Sequence, residues 1–190
     1  MNKTEVHQNG DASEGTVFTL SIFTENKIGL LNRITIIFTR RHLNIESITA
    51  SESEIKDVHR YTIVCKTTRE QIEKVVKQIE KLVEVLKAFV HEDRDVVHQE
   101  IALYKLKTSS LNSENNIEKI VRDNHARILS VARDYIVIEK TGHKHETQVL
   151  FKKLEPFGVL EFARSGRVAI TKPMKELSIY LKELEEAHQG

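Results

Sequence analysis

The order of hydrophobic periods along the chain is the feature that most constrains its fold. Residues 17–24 alternate Phe18, Leu20 and Ile22 with small or polar residues, which predicts a half-buried strand. Over residues 29–42 the apolar positions fall three and four residues apart, which predicts a helix with one buried face. A helix is therefore expected to follow the first strand directly.

Three more strands and a second helix complete the pattern. Residues 44–51 and 59–66 are rich in β-branched side chains and predict an antiparallel pair of strands. Thr67 or Thr68 then precedes a helical period and has Glu or Gln three residues later, as in a capping box. Residues 83–90 predict a fourth strand. This order is ferredoxin-like: two helices cover one face of a four-stranded antiparallel sheet, and the other face is left free to pair with something.

The same order recurs after a charged connector at residues 91–98. The repeat comprises a strand at 100–107, a helix at 113–125, strands at 127–131 and 135–141, a helix at 144–154 and a short strand near Val159 or Val168. Leucines at helical spacing over 174–188 predict a terminal amphipathic helix. The predicted fold class is α+β, with two ferredoxin-like βαββαβ domains and a C-terminal helix. The predicted divisions are a leader at 1–16, domains at 17–92 and 97–172, and a helical tail at 173–190.

Composition narrows the function classes. Of the 190 residues, 39% are hydrophobic and 30% are charged, which is typical of packed domains rather than disordered chains. Lys and Arg total 29 against 28 Asp and Glu, so the net charge of +1 gives no strong field for a nucleic acid. No secretory signal or apolar run of about 20 residues is found, and a cytoplasmic location is expected. The lone Cys65 lies among alternating apolar residues and is expected to be a buried thiol.

No catalytic motif is found in the sequence. Glycine-rich nucleotide loops and the nucleophile-elbow motif are absent. His143 and His145 offer two metal ligands but no third at a suitable spacing, so a solvated helix cap is the favoured interpretation. Acidic pairs such as Glu52 and Glu54 lie in polar stretches, whereas acid catalysis needs a desolvated pocket. Neither catalytic nor metal-ligating residues are expected.

The turn between the first strand and the first helix carries a candidate binding site. A helix N-terminus presents unpaired N–H groups and a partial positive charge, which suit a carboxylate. Gly29 has no Cβ to block a ligand, and the Asn26 amide can donate to a carboxylate or accept from an ammonium group. Together these groups suit a free amino acid. Taken alone, the turn is more simply explained by Asn26 capping the helix and Gly29 forming a tight turn.

Four sequence runs resemble one family. They are Glu-Asn-Lys-Ile-Gly-Leu-Leu-Asn-Arg at 25–33, Phe-Thr-Arg-Arg-His-Leu-Asn-Ile-Glu-Ser at 38–47, Ile-Glu-Lys-Leu-Val-Glu-Val-Leu at 79–86 and Ala-Arg-Ser-Gly at 163–166. The first two resemble an ACT domain. All four resemble, more narrowly, the small regulatory subunits of acetolactate synthase, also called acetohydroxyacid synthase. The likeness covers about residues 17–171, and its most specific piece is Asn-Ile-Glu-Ser.

The resemblance implies a site shared between two chains. In that family two ACT domains pair side by side, their sheets join, and valine binds between the strand-to-helix turn of one chain and the second strand of its partner. By matching positions, the implied effector contacts are Asn26, Gly29 and Asn44, with Ile28 and Leu30 close by to wall an apolar side chain. The leader and the C-terminal helix extend beyond the shorter bacterial members, which leaves contacts with a catalytic subunit open.

The resemblance also implies a function. It implies a non-catalytic regulatory subunit of branched-chain amino acid biosynthesis that forms a homodimer, activates a large catalytic subunit and confers feedback inhibition by valine or a related amino acid. Thiamine diphosphate, Mg and FAD are expected on that catalytic partner and no cofactor on this chain. No nucleic acid or membrane partner is expected.

Two alternatives come from other classes. A stand-alone ACT-type sensor or transcriptional regulator is suggested by the basic cluster Arg33, Arg40 and Arg41, although no helix-turn-helix segment accompanies it. A small enzyme on the ferredoxin-like scaffold would need a desolvated acid, base or metal that the sequence does not display.

Overall fold

The computed structural model describes residues 15–111 and 116–172, together with Lys182 and Glu186. The strands and α-helices in chain order are β1 Thr16–Glu25, α1 Leu30–Arg40, β2 Ser47–Glu52, β3 Val58–Thr67, α2 Arg69–Ile79, β4 Val85–Glu92, β5 Val96–Lys107, α3 Ile117–Asp123, β6 Arg127–Val131, β7 Tyr135–Gly142, α4 Lys144–Leu154, β8 Val159–Arg164 and β9 Val168–Thr171. The predicted helix at 174–188 lies outside the described residues, except that Lys182 and Glu186 have helical backbone. None of the described helices is long and apolar enough to span a bilayer.

The first sheet has the strand order β2-β3-β1-β4 with antiparallel neighbours, which confirms the first ferredoxin-like domain. Leu20 of the central strand β1 lies opposite Ile63 on one side and Val90 on the other. These side chains share one face of the sheet, and the apolar faces of α1 and α2 pack against them. The Thr68 hydroxyl accepts a hydrogen bond from the Gln71 N–H at 3.3 Å. Of the two predicted caps, Thr67 and Thr68, it is therefore Thr68 that caps α2.

The second sheet repeats this layout. Its strand order is β6-β7-β5-β8, and α3 and α4 contribute buried apolar residues to its core, which confirms the second ferredoxin-like domain. Tyr104 lies fully buried on β5 and donates a 2.6 Å hydrogen bond to the Thr147 carbonyl of α4. The predicted bounds of β6 and α4 are those observed, whereas α3 occupies only part of the predicted segment 113–125.

The predicted connector at 91–98 is wrong, because most of it is strand. Only a 3₁₀ turn at Asp93–Asp95 separates β4 from β5. The first residues of β5 form a ladder with β9, and Val97 lies opposite Ile170. Both strands proposed as alternatives near Val159 and Val168 therefore form, on different parts of β5.

The second domain packs against the helix-free face of the first sheet. Arg60 donates to the Ala169 carbonyl at 2.6 Å, and the Thr49 hydroxyl donates to the Arg167 carbonyl at 3.1 Å. The Arg167 guanidinium donates to the Thr19 hydroxyl in the middle of the sheet at 2.8 Å. The face expected to be free is therefore occupied by the chain's own second domain.

Candidate functional site

The turn that joins β1 to α1 is held at the rim of the first sheet. The Glu25 N–H donates to the Glu84 carbonyl at 2.9 Å, and the Asn26 N–H donates to the Asp57 carbonyl at 3.3 Å. These hydrogen bonds attach the turn to two neighbouring loops. Because the backbone is fixed, the exposed side chain of Asn26 and the backbone at Gly29 occupy defined positions at the surface.

Gly29 directly precedes α1, at the N-cap position, and has a left-handed conformation with φ +82° and ψ −4°. This conformation favours glycine because a Cβ there meets the following carbonyl. No side chain caps the helix, so the interpretation that Asn26 caps α1 is wrong, whereas the tight turn at Gly29 is confirmed. Apart from its own backbone and the adjoining residues of the chain, a Cβ built at Gly29 would have no atom within 4 Å, which leaves open space above the helix start.

The first turn of α1 leaves backbone donors available. The Arg33 N–H reaches the Gly29 carbonyl at 3.2 Å, but the N–H groups of Leu31 and Asn32 donate no hydrogen bond within residues 15–111 and 116–172. No acidic residue lies in the first turn. Unpaired N–H groups at the positive end of a helix dipole form a site for an anion.

Nearby charges already have partners. Arg33 forms an ion pair with Glu84, and this hydrogen bond lowers the pKa of the Glu84 carboxyl below its usual value. Arg41 donates from Nε to the Gln78 side chain at 2.9 Å. Two members of the basic cluster are therefore used within the domain, which weakens the case for a nucleic-acid surface.

The two apolar candidates differ in accessibility. Ile28 is fully exposed at the tip of the turn, whereas Leu30 is fully buried in the core of the first domain. Ile28 is thus free to contact the apolar part of a ligand. The Leu30 side chain cannot line a surface site, because it points into the core between the helices and the sheet.

Asn44 is exposed and lies far from the turn within one chain. It precedes β2, whose first residue Ser47 is opposite Val64, and Val64 is opposite Thr19 on β1. The turn follows Glu25, six residues further along β1, and a strand rises about 3.3 Å per residue. Since Asn44 lies before Ser47, the two predicted parts of the site are separated by at least about 20 Å along the sheet and cannot meet in a single chain.

The predicted histidine pair lies beside a third histidine, His98. His143 lies at the start of α4, where its N–H donates to the Glu146 carboxylate at 2.6 Å, which agrees with the predicted helix cap. Its ring stacks on His145 and lies 3.0 Å from Nε2 of His98, a neighbour that sequence spacing did not reveal. Among the described residues, no cluster of three or more His, Cys, Asp or Glu side chains is arranged to hold a metal ion.

Comparison with known proteins identifies both domains. Residues 20–87 match the family model described as an AHAS small subunit-like ACT domain, and residues 99–173 match that of the small subunit of acetolactate synthase. The acetolactate synthase small subunit of Bacillus subtilis is 36% identical over 157 residues, which are 82% of this chain and 90% of that protein. That of Mycobacterium bovis is 34% identical over 154 residues, 81% of this chain and 91% of the relative.

A solved structure agrees over nearly the same length. The crystal structure of the acetolactate synthase small subunit from Thermotoga maritima superposes with a TM-score of 0.75 and is 32% identical. The match covers 84% of this chain and 99% of that structure. With sequence models for both halves and a shared fold, the chain belongs to the family of acetolactate synthase small subunits, and its first domain is an ACT domain.

Proposed function

We propose that this chain binds valine or a related branched-chain amino acid at the Asn26–Gly29 turn and thereby regulates a separate catalytic subunit of acetolactate synthase. The observation that carries the proposal is the uncapped N-terminus of α1, with open space at Gly29. It offers free N–H groups for a carboxylate, and the exposed Asn26 amide lies beside it for an ammonium group. Exposed Ile28 supplies apolar surface for a branched side chain.

A homodimer would complete this site. β2 is an edge strand, so a second copy can extend the sheet by antiparallel pairing of the two β2 strands. Antiparallel pairing reverses the direction of the second copy, and its Asn44 then lies at the same end of the joined sheet as the turn. The crossover from β1 to β2 also places α1 toward this edge. The separation of at least about 20 Å within one chain is consistent with a site that two chains share.

Regulation would follow by linkage between binding and assembly. A ligand that contacts both chains favours the arrangement in which Asn44 faces the turn. It shifts the equilibrium between the arrangements of the complex only to the extent that it binds one of them more tightly than the other. Couplings of about 1–3 kcal/mol are typical of such systems. The reaction itself, with thiamine diphosphate, Mg and FAD, would reside on the catalytic partner, and this chain would activate it and make it sensitive to feedback inhibition.

Calorimetry and a reconstituted assay test the proposal. We expect the purified chain to bind valine, leucine or isoleucine, and the amino acid that binds to inhibit the catalytic subunit only when this chain is present. Gly29→Asp places a carboxylate where the ligand's carboxylate is expected, and two like charges about 4 Å apart repel by about 1–4 kcal/mol near a surface. Affinity should therefore fall at least about fivefold.

A matched control is available at Gly158. It has φ +78° and, like Gly29, no atom within 4 Å of an added Cβ, so Gly158→Asp places an aspartate at a positive φ away from the turn. Equal loss of binding in both variants would assign the effect to strain and refute the proposed site. Absence of binding by all three amino acids to the dimeric wild-type chain would remove the sensor function.

A further inference from the structure

A third apolar cluster lies on the helix-free face of the first sheet, apart from the cores of the two domains. Phe23 and Val58 are buried in it, and Ile55, Leu86 and Phe89 are partly buried around them. The rings of Phe23 and Phe89 meet edge to face, with their centroids 6.3 Å apart. All five residues of this Phe23 cluster belong to the first domain. A buried apolar part of a sheet face implies a further layer of chain over it.

The second domain covers the opposite end of the same face. Arg167 reaches Thr19, which lies four residues before Phe23 on β1, or about 13 Å away along the strand. Arg60 marks the boundary, because its guanidinium lies 5.4 Å from the centroid of the Phe23 ring and also donates to the Ala169 carbonyl. The Phe23 cluster thus begins where the described contacts of the second domain end, so a segment outside that domain is the natural candidate for its cover.

The chain that follows β9 is long enough to reach this cluster. The Lys172 N–H donates to the Asp95 carbonyl at 2.8 Å, so residues 173–190 start beside the turn that joins β4 to β5. β4 ends at Glu92, and Phe89 lies three residues back along the strand, which is about 10 Å. As a helix, residues 173–190 would extend about 27 Å. The length therefore suffices to cross the whole Phe23 cluster.

The sequence of this segment provides an apolar side that fits a sheet face. Leu177, Leu181 and Leu184 recur at helical spacing and share one side of the predicted helix. Lys182 and Glu186 have helical backbone and are exposed. At 3.6 residues per turn these two positions lie on the side away from the leucines. Their exposure agrees with a helix that turns its leucines toward the protein.

One other apolar surface lies near the start of this segment. Val97, Val168 and Ile170 share the outer side of the ladder between β5 and β9, and they are 51%, 60% and 62% exposed. Phe23, in contrast, is 0% exposed. A surface that remains this exposed has no layer over it, whereas the burial of Phe23 is what a docked helix produces.

We propose that residues 174–188 form an amphipathic helix that packs its leucines on the Phe23 cluster, so that the helix-free face is covered by the second domain at one end and by the C-terminal helix at the other. Ile55 of the cluster lies in the same loop as Asp57, whose carbonyl accepts from the Asn26 N–H. The docked helix therefore also holds in place the loop to which the turn at Asn26–Gly29 is attached.

A nitroxide spin label on Lys182→Cys in the full chain locates the helix. Cys65 is buried and does not compete for the label. We expect the label to broaden the methyl NMR signals of Ile55 and Leu86 more strongly than those of Val168. Stronger broadening at Val168 would overturn the proposal. A mixture of spin-labelled chain with isotope-labelled chain that carries no spin label detects contact between copies, and equal broadening in that mixture would place the helix on a second copy instead.

Hydrogen exchange by mass spectrometry tests the leucine contact in the full chain. Leu181→Asp should accelerate exchange over residues 53–58 and 86–91 at least about tenfold, the loss that corresponds to one buried leucine side chain. Lys182→Asp, at the exposed neighbouring position, is the matched control and should leave exchange there unchanged. Exchange over residues 135–140 should stay the same in both variants, which shows that the second domain is folded. No acceleration in Leu181→Asp, or equal acceleration in both variants, would refute the contact. If Leu181→Asp fails to fold, the spin label on Lys182→Cys decides.

Discussion

Substituting Gly166 by alanine tests how closely the two domains pack. A Cβ at this position would overlap the Thr49 hydroxyl of β2 and lie 2.8 Å from the Ile48 carbonyl oxygen. The Ile48 oxygen is backbone and cannot rotate away, so the strand and the second domain must separate slightly. Overpacking of this kind costs about 1–3 kcal/mol. The lower chain entropy of the unfolded alanine variant offsets about 0.4–1 kcal/mol, which leaves a net loss of up to about 2.6 kcal/mol.

Gly158→Ala is the control for this substitution. It introduces the strain of a positive φ but meets no atom within 4 Å, and Gly158 lies at the end of a 3₁₀ turn in the second domain. Urea unfolding measures the two losses of stability, and hydrogen exchange by mass spectrometry shows where each arises. We expect faster exchange over residues 164–171 in Gly166→Ala and unchanged exchange there in Gly158→Ala.

Removing the Thr49 side chain should relieve part of the overlap. The cost of Gly166→Ala measured in a Thr49→Ala chain is therefore expected to be smaller by about 0.5 kcal/mol or more, the range for residues in contact. If the two substitutions are additive and exchange over 164–171 does not change, the domains do not pack as described. Such a result would also leave the glycine of the Ala-Arg-Ser-Gly run without a steric explanation.

Three further predictions concern buried groups. Burial, with a smaller effect of Glu46, raises the pKa of the Cys65 thiol to about 12, so the folded chain should resist alkylation by iodoacetamide at pH 8 and the urea-unfolded chain should react. Burial is the largest cause that lowers the pKa of His98, followed by the charges of Arg167 and His143. As pH falls, the unfolded chain therefore binds a proton at His98 before the folded chain does. The free energy of unfolding should fall as pH drops below about 6.5, and it should fall less in His98→Asn. Tyr104→Phe loses a buried hydrogen bond and should lower the free energy of urea unfolding by about 1 kcal/mol, a loss that a surface Tyr135→Phe control should not show.

The element order was predictable because each domain buries its apolar residues through local patterns. Alternation in β1 and helical spacing in α1 and α2 reflect one apolar face each, and those faces form the cores observed. The start of β5 was missed for the opposite reason. Its first residues pair only with β9 and leave Val97 half exposed. The charged run at residues 92–95 directly before them made the segment look like a connector.

The candidate site was only partly predictable. Gly29 and Asn26 could be named because a strand-to-helix turn has a fixed chemistry, but the choice between an Asn26 cap and an uncapped helix depends on side-chain orientation. Leu30 was predicted to lie against the ligand because helical spacing does not distinguish a core residue from one at the edge of the core. Arg167 was not singled out at all: its partner Thr19 is 148 residues away, and no local pattern reports such a contact.

The ladder between β5 and β9 gives the molecule a mechanical property. The chain leaves the first domain through the short turn at Asp93–Asp95 and returns to touch its sheet through the backbone of Arg167 and Ala169. Arg167 also bonds Asp93 in that turn and Thr19 in the sheet, and Gly166 lies against β2, so the second domain is held at several places and cannot swing freely on a tether. The two domains are therefore expected to move together when the twist of the first sheet changes.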